Sequence, residues 1–290
     1  MARFRYFYLW ARFIRTPSEL ISRLIGNACH DGGGNSLVFN RKSLFGEKGV
    51  EIRVPRDKYI FEKFMKNGYF SLPTSIFLSQ GLKKGCNSIL DLGAHAGLVS
   101  LQAIRIARET NVQVIAVEPI PSHHECLRAN FKDLKLESFA AGFANGNEEH
   151  LKIFVDKENL GNSSILPVLL SEKLDNDSYI SVQAVSLEKV LRGIGTSNFL
   201  LKSDLQGLDL HVLSSMKSDT WRQVRRGVIE VNSHIHNSKE ECMRLLDKLE
   251  NFFYLSWEPY PFKEVSRMEV QNFWLSGKSE ERDLFLISKI

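Results

Sequence analysis

The segment Ser88-Ile-Leu-Asp-Leu-Gly-Ala-His-Ala-Gly97 constrains the fold of this 290-residue chain more than any other. Ile89 to Leu92 form a short apolar run suited to a buried strand. Gly93 and Gly97 open a tight turn, and residues 98–108 carry apolar positions at helical spacing. Glycine has no Cβ, so backbone can approach a ligand closely at such a turn. A second apolar run begins at Val112 and ends in Val117-Glu118-Pro119, placing Glu118 twenty-one residues beyond Gly97. An acidic side chain there can accept hydrogen bonds from both hydroxyls of a ribose. Together the two segments predict a parallel α/β sheet with a nucleoside site at its strand ends.

The glycine spacing also separates ligand types. A dinucleotide turn has the form G-x-G-x-x-G and brings main-chain amides and a helix N-terminus onto a pyrophosphate. Here the turn is Asp91-x-Gly93-x-x-x-Gly97. It lacks the close-set glycine pair and puts the Asp91 carboxylate at the strand end, which favours a ligand carrying positive charge. S-adenosylmethionine, with a sulfonium and an ammonium, meets that description.

The rest of the chain alternates strand and helix patterns as a doubly wound sheet requires. Residues 50–54 read as a strand, and 59–65 and 73–80 as helices. After the second core strand (112–118), Ser122 is placed to cap a helix running to Asn130, and 137–141 is the third strand. Residues near Ala141 are expected to line an adenine. Asn145-Gly-Asn147 predicts a turn joining 138–143 and 151–155 in a hairpin. Residues 199–204 and 228–232 supply the fourth and fifth strands, followed by helices over 208–216 and 239–250. Residues 253–257, 273–276 and 284–288 are expected to form an antiparallel edge.

Right-handed crossovers bring the C-terminal ends of parallel strands to one rim, where such sheets bind ligands. On the fourth strand Lys202, Asp204 and Gln206 share parity, as do Glu230 and Asn232 on the fifth, with His234 and His236 in the loop beyond. Asp204 is the candidate base, Lys202 a group that keeps it charged or stabilises a developing alkoxide, Glu230 a substitute base, and His95 an overhanging side chain. The oxygens of Asp204, Glu230 and Asn232 also make a magnesium ion conceivable, but Lys202 would repel one and it is not favoured. No histidine and cysteine cluster suggests zinc.

These motifs resemble those of class I S-adenosylmethionine-dependent methyltransferases of the FkbM family. That family pairs a DxGANxG-like turn and an EP strand end with a downstream LKxDxEGxE-like segment. This chain has Asp91-Leu-Gly-Ala-His-Ala-Gly97, Glu118-Pro119 and Leu201-Lys-Ser-Asp-Leu-Gln-Gly-Leu-Asp209. Between them, Gly161-Asn-Ser-Ser164 is similar to the family's Gly-Asn-Ser-rich loop, and Val185-Ser-Leu-Glu-Lys-Val-Leu191 to its strand-to-helix entry. His95 stands where the family has Asn, and Gln206 where it has Glu. The resemblance covers roughly residues 70–235 and implies an α/β, Rossmann-like seven-stranded methyltransferase sheet with helices on both faces, here with a helical N-terminal extension. It implies an enzyme binding S-adenosylmethionine through Asp91, Gly93, His95, Gly97, Glu118, Pro119 and Ala141. O-methylation of a saccharide or natural-product hydroxyl is the expected reaction. N-methylation of a peptide side chain and a non-catalytic cofactor-binding scaffold stand as alternatives.

Composition excludes little else. At 43% hydrophobic and 25% charged residues the chain can bury one sizeable core plus an appendage, and a net charge of +4 does not suggest nucleic acid. Cys29, Cys86, Cys126 and Cys242 form no C-x-x-C pair, which suits a reducing compartment and a cytoplasmic location. Residues 1–26 interleave five arginines with aromatic and aliphatic side chains, and their longest apolar run, six residues, is too short to span a membrane. Such a segment suits peripheral contact with an anionic membrane, closure over a glycan, small-molecule or peptide acceptor, or packing on its own domain or in an oligomer. The expected division is an extension with its Gly-rich joint over 1–48 and the methyltransferase domain over 49–290.

Overall fold

The first described elements are three antiparallel strands, β1 (Cys29–Asp31), β2 (Ser36–Arg41) and β3 (Val50–Pro55), followed by helix α1 (Leu72–Leu82). The computed structural model describes residues 29–31, 36–41, 50–55, 69–143, 148–154, 179–194, 198–233 and 238–290, with side chains from Glu51 onward. Two strand-helix-strand units come next, through β4 (Ser88–Leu92), α2 (Leu98–Ala107), β5 (Gln113–Val117), α3 (Pro121–Asn130) and β6 (Lys135–Phe139). A small sheet of β7 (Ala141–Phe143), β8 (His150–Phe154) and β9 (Tyr179–Val185) leads through α4 (Leu187–Leu191) to β10 (Phe199–Ser203). The chain continues through α5 (Asp209–Ser214), α6 (Ser218–Trp221), β11 (Val224–Asn232) and α7 (Lys239–Phe252). It finishes with β12 (Phe253–Pro259), β13 (Phe262–Glu264), α8 (Arg267–Trp274) and β14 (Glu281–Ser288).

The main sheet has the order β13-β12-β14-β11-β10-β4-β5-β6. The five strands from β11 to β6 run parallel, and β14, β12 and β13 are added antiparallel. From β4 the chain steps outward to β5 and β6, then returns to the other side of β4 as β10. The strand order therefore reverses between β4 and β10, and the crevice beyond their carboxyl ends is the switch point where open α/β sheets take ligands.

Alternation along the strands produces the two covering layers. Ile89, Val114, Leu200 and Val228 pack with Phe77 and Leu78 of α1 and Leu101 of α2. Their neighbours Leu90, Ile115, Leu201 and Ile229 pack on the opposite face with Leu213 of α5, Trp221 of α6 and Leu246 of α7. Every residue of β4 and of β10 is buried, as expected of central parallel strands. Asp91 and Lys202 interrupt these apolar runs, and they are register partners.

Four sequence expectations are corrected here. The sheet has eight strands rather than seven, because the chain after β12 folds back and adds the three-residue β13 at the edge. Residues 273–276 are not a strand. Ser266 accepts a hydrogen bond from Glu269 N, and Val270 and Trp274, both buried, lie four residues apart, so a capped amphipathic helix forms instead. The hairpin expected between 138–143 and 151–155 is absent, because β7 pairs parallel and β8 antiparallel with β9. The seven residues of β9 give both shorter strands a longer partner than they give each other. Ser122 does not cap α3; Pro121 opens that helix with its pre-set φ, and the Glu118 carboxylate receives the Ile120 amide just before it.

Residues 1–28, 32–35 of the joint, the helix expected over 59–65, the turn at 145–147, the loop at 161–164, His234 and His236 lie outside the described residues. Among the described residues no helix is long and apolar enough to cross a membrane.

Candidate active site

Four strand ends meet at the switch point. Gly93 N and Ala94 N both donate to Val117 O, at 2.9 and 3.0 Å, Glu118 N donates to Phe139 O at 3.1 Å, and Asp204 N donates to Leu92 O at 3.0 Å. Gly93 has φ 72°, and a Cβ there would overlap the Asp204 carbonyl. The turn after β4 and the end of β10 therefore approach more closely than any side chain permits. Gly97, also at φ 72°, enters α2. Asn130 of α3 ties the turn to the N-terminal sheet, donating to Ala96 O and exchanging hydrogen bonds with the main chain of Arg53.

Glu118 is buried. Its Oε2 accepts from His95 N at 2.8 Å and its Oε1 from Ile120 N at 2.9 Å, so one carboxylate fixes both the turn and the start of α3. A carboxylate offers about four acceptor positions, so these two bonds leave it capacity for a ligand's hydroxyls. Pro119 is half-buried beside it, and Ala141 is buried two residues past β6 on the same rim.

Asp91 faces inward. It is 1% exposed, its Oδ2 accepts from Ser100 Oγ at 2.5 Å, and its Oδ1 lies 3.5 Å from Lys202 Nζ. Lys202 Nζ also donates to Gly93 O at 2.5 Å and lies 3.7 Å from Asp204 Oδ2. Burial works against the charge on Lys202, but Asp204, Asp91, Glu230 and Asp209 outweigh it and hold the ammonium above its ordinary range. Asp204 is the outward member of this chain, with 36% of its side chain exposed, and the Gln206 amide donates to its Oδ1 at 2.9 Å. A glutamate at 206 would repel Asp204 where Gln206 holds it.

Carboxylates crowd the rest of the rim. Burial, then Asp204, Asp209, Glu281 and Asp283, push Glu230 well above the usual range, and Asn232 Nδ2 donates to it at 2.8 Å. Burial and then Asp204 raise Asp283 to about 6, against the hydrogen bond from Thr74. Asp209, buried, accepts from Ser203 Oγ and from Leu205 N, bracing the loop that carries Asp204, and burial raises it to about 7. A carboxyl whose folded pKa exceeds its unfolded 3.8 binds extra protons in the folded state between those values. The stability it contributes is thus full below about pH 4 and lost as pH rises through about 7. Asp209→Asn is expected to flatten that part of the profile; urea titrations of both chains at pH 5 and pH 8 check it, and an unchanged difference between the two midpoints contradicts it.

The structure brings Asp91, Gly93, Lys202 and Asp204 together, and sets His95 and Glu118 side by side one strand away. Glu230 joins through its charge. Ser100, His123 and Asp209 were not singled out as site residues from the sequence. Asp209 closes the Leu201–Asp209 motif and could have been found there, but Ser100 and His123 reach the site only through helix packing. Among the described residues no three histidine, cysteine or acidic side chains converge to hold a metal ion. The arrangement of Asp204, Glu230 and Asn232 does not suit magnesium: Asn232 turns its amide nitrogen toward Glu230, and Lys202 neighbours Asp204.

A glycine turn and an acidic strand end at the switch point of a doubly wound sheet define a nucleoside-cofactor enzyme of the α/β class. The family profile of the methyltransferase FkbM domain matches residues 91–256. The chain belongs to that family and is an S-adenosylmethionine-dependent methyltransferase. A search of curated proteins found no match. Among solved structures it is similar to a precorrin-6y C5,15-methyltransferase from Geobacter metallireducens GS-15, at 10% identity, over 75% of this chain and 91% of that one, with TM-score 0.35. It is also similar to a TehB-like SAM-dependent methyltransferase from Corynebacterium glutamicum, at 10% identity, over 80% and 95%, with TM-score 0.38. A third is an O-methyltransferase from Bacillus cereus in complex with SAH, at 13% identity, over 75% and 82%, with TM-score 0.33.

Proposed function

We propose that the enzyme methylates a hydroxyl of a saccharide or another natural-product scaffold. The observation that carries this reading is Asp204, a partly exposed carboxylate held by the Gln206 amide and neighboured by the buried Lys202 ammonium at the mouth of the crevice. S-adenosylmethionine supplies a methyl group on an already activated sulfonium. The protein's work is then to align the acceptor and take its proton.

In this reading Asp204 takes the hydroxyl proton, and Lys202, whose Nζ lies 3.7 Å from Asp204 Oδ2, stabilises charge that develops on the acceptor oxygen. Glu230, whose surroundings favour its protonated form, donates a hydrogen bond to the acceptor. Glu118 receives the ribose hydroxyls, with Pro119 beside it. The Gly93 to Gly97 turn, including the main chain of His95, admits the cofactor closely, and Ala141 lies on the adenine side. Asp91 acts through Lys202 and Ser100, which it holds in place. The residues present suit a ligand with a cationic centre, since carboxylates dominate the rim and the close-set glycines of a pyrophosphate turn are missing.

Calorimetric titration with S-adenosylmethionine, followed by a screen of glycans, small hydroxylic molecules and peptides with labelled methyl donor, tests the proposal. Methylation of a hydroxyl is the expected result. Methylation of a peptide amide, or binding without turnover on any acceptor, contradicts it. Asp204→Asn is expected to lower turnover by about two orders of magnitude, the usual worth of a positioned base, with cofactor affinity nearly unchanged. Undiminished turnover removes Asp204 from the mechanism.

A further inference from the structure

The inference rests on the reading of Glu118 as the ribose-binding carboxylate. Main-chain amides are not its only neighbours. His123, in the first turn of α3 and 1% exposed, brings Nδ1 to 3.5 Å from Glu118 Oε1. A carboxylate only accepts hydrogen bonds, so the tautomer carrying its proton on Nδ1 is the one that suits this approach. The ring of His123 also stacks on that of His95, with centroids 3.8 Å apart and planes tilted by 45°. The backbone of His95 is left-handed at φ 53°, and its N–H is the one bonded to Glu118 Oε2. Glu118, His123 and His95 therefore form a closed set: one ring adjoins the carboxylate and supports the other, whose main chain returns to the same carboxylate.

The set is polar where packing alone does not require it. The Nε2 atoms of both rings are buried with no hydrogen-bond partner, which is unfavourable, and an apolar ring would fill the same volume without that cost. Burial, then His123, then Lys202 keep His95 well below the usual imidazole range, so its ring is neutral. Departures from good packing chemistry of this kind concentrate at functional sites.

We propose that His123 is a positioning residue for the cofactor. It touches no part of the cofactor but orients Glu118 toward the ribose diol and supports His95 in the turn. Phenylalanine keeps the ring and its stack but removes the nitrogen facing Glu118. Asparagine restores a donor close to the position of Nδ1.

Isothermal titration of the full chain with S-adenosylhomocysteine, and with its 2′,3′-dideoxy analogue, tests this. For S-adenosylhomocysteine, His123→Phe is expected to weaken binding about tenfold, or about 1.4 kcal/mol, and His123→Asn less than about threefold. For the dideoxy analogue, which offers Glu118 no hydroxyl, His123→Phe is expected to change affinity less than about threefold. Wild-type affinity in His123→Phe, or the same loss for both ligands, overturns the proposal. Should His123→Phe not fold, full affinity in His123→Ala overturns it equally. A wild-type chain that binds neither ligand overturns the functional reading itself, and this inference with it.

Discussion

Gly93→Ala is expected to destabilise the chain by about 3 kcal/mol or more and to remove cofactor binding. Two costs combine. An alanine at φ 72° is strained by roughly 1–2 kcal/mol, and its Cβ would overlap the Asp204 carbonyl, forcing apart the ends of β4 and β10. The obstacle is backbone, held by Asp204 N donating to Leu92 O and by Lys202 Nζ donating to Gly93 O, so no rotamer change relieves it. At Gly97 the nearest obstacles to an alanine Cβ are the side chains of Phe131 and Leu127, so Gly97→Ala is expected to cost less despite the same φ. Thermal melts of the two variants check this: a fall of roughly 6–12 °C is expected for Gly93→Ala. Equal melting temperatures would show that the close approach of the two strand ends is not a constraint.

Lys202→Met is the second change with a large expected effect. It leaves Asp91 buried at 1% exposure without the cation that lies 3.5 Å from its Oδ1, and deprives Gly93 O of a hydrogen-bond donor. Breaking a buried pair from one side typically costs about 3–5 kcal/mol, because the surviving charge stays out of water. The double variant Lys202→Met with Asp91→Asn is expected to recover a large part of that loss, since the buried charge is gone. Urea denaturation of the two single variants and the double variant measures the coupling. Additive losses would mean that Lys202 and Asp91 do not form a working pair. The arrangement also links stability to chemistry, because the ammonium that neutralises Asp91 is the one that neighbours Asp204.

Much of the parallel half of the sheet could be read directly from the chain. In that half β4, β5, β10 and β11, and outside it β3, α1 and α7, fall where apolar periodicity and turn residues place them. Errors gathered where periodicity is short or ambiguous: at three-residue β13, at the helix over Arg267–Trp274, and in the pairing of β7 and β8 with β9. A strand's existence follows from local pattern, but its partner depends on which extended segment of the remaining chain reaches it. The two departures from the family pattern carried a local message as well. His95 and Gln206 both have positive φ, 53° and 51°, on either side of the crevice, and neither conformation is legible from residue type alone.

The chain's own order of residues determined the glycine turn, the acidic end of the second core strand, the apolar strands and hence the kind of ligand the rim accepts. Those properties depend on covalent neighbours and on a period of two or 3.6 residues, which a local window contains. Tertiary structure alone decided that Asp91 turns inward to Ser100 and Lys202, that Asp204 is the carboxylate left outward, and that His123 meets His95 beside Glu118. Of these contacts, Asp91 with Lys202 and His95 with His123 join residues tens of positions apart. Which charge is neutralised, and which remains available for chemistry, is set by burial and distance in the folded sheet.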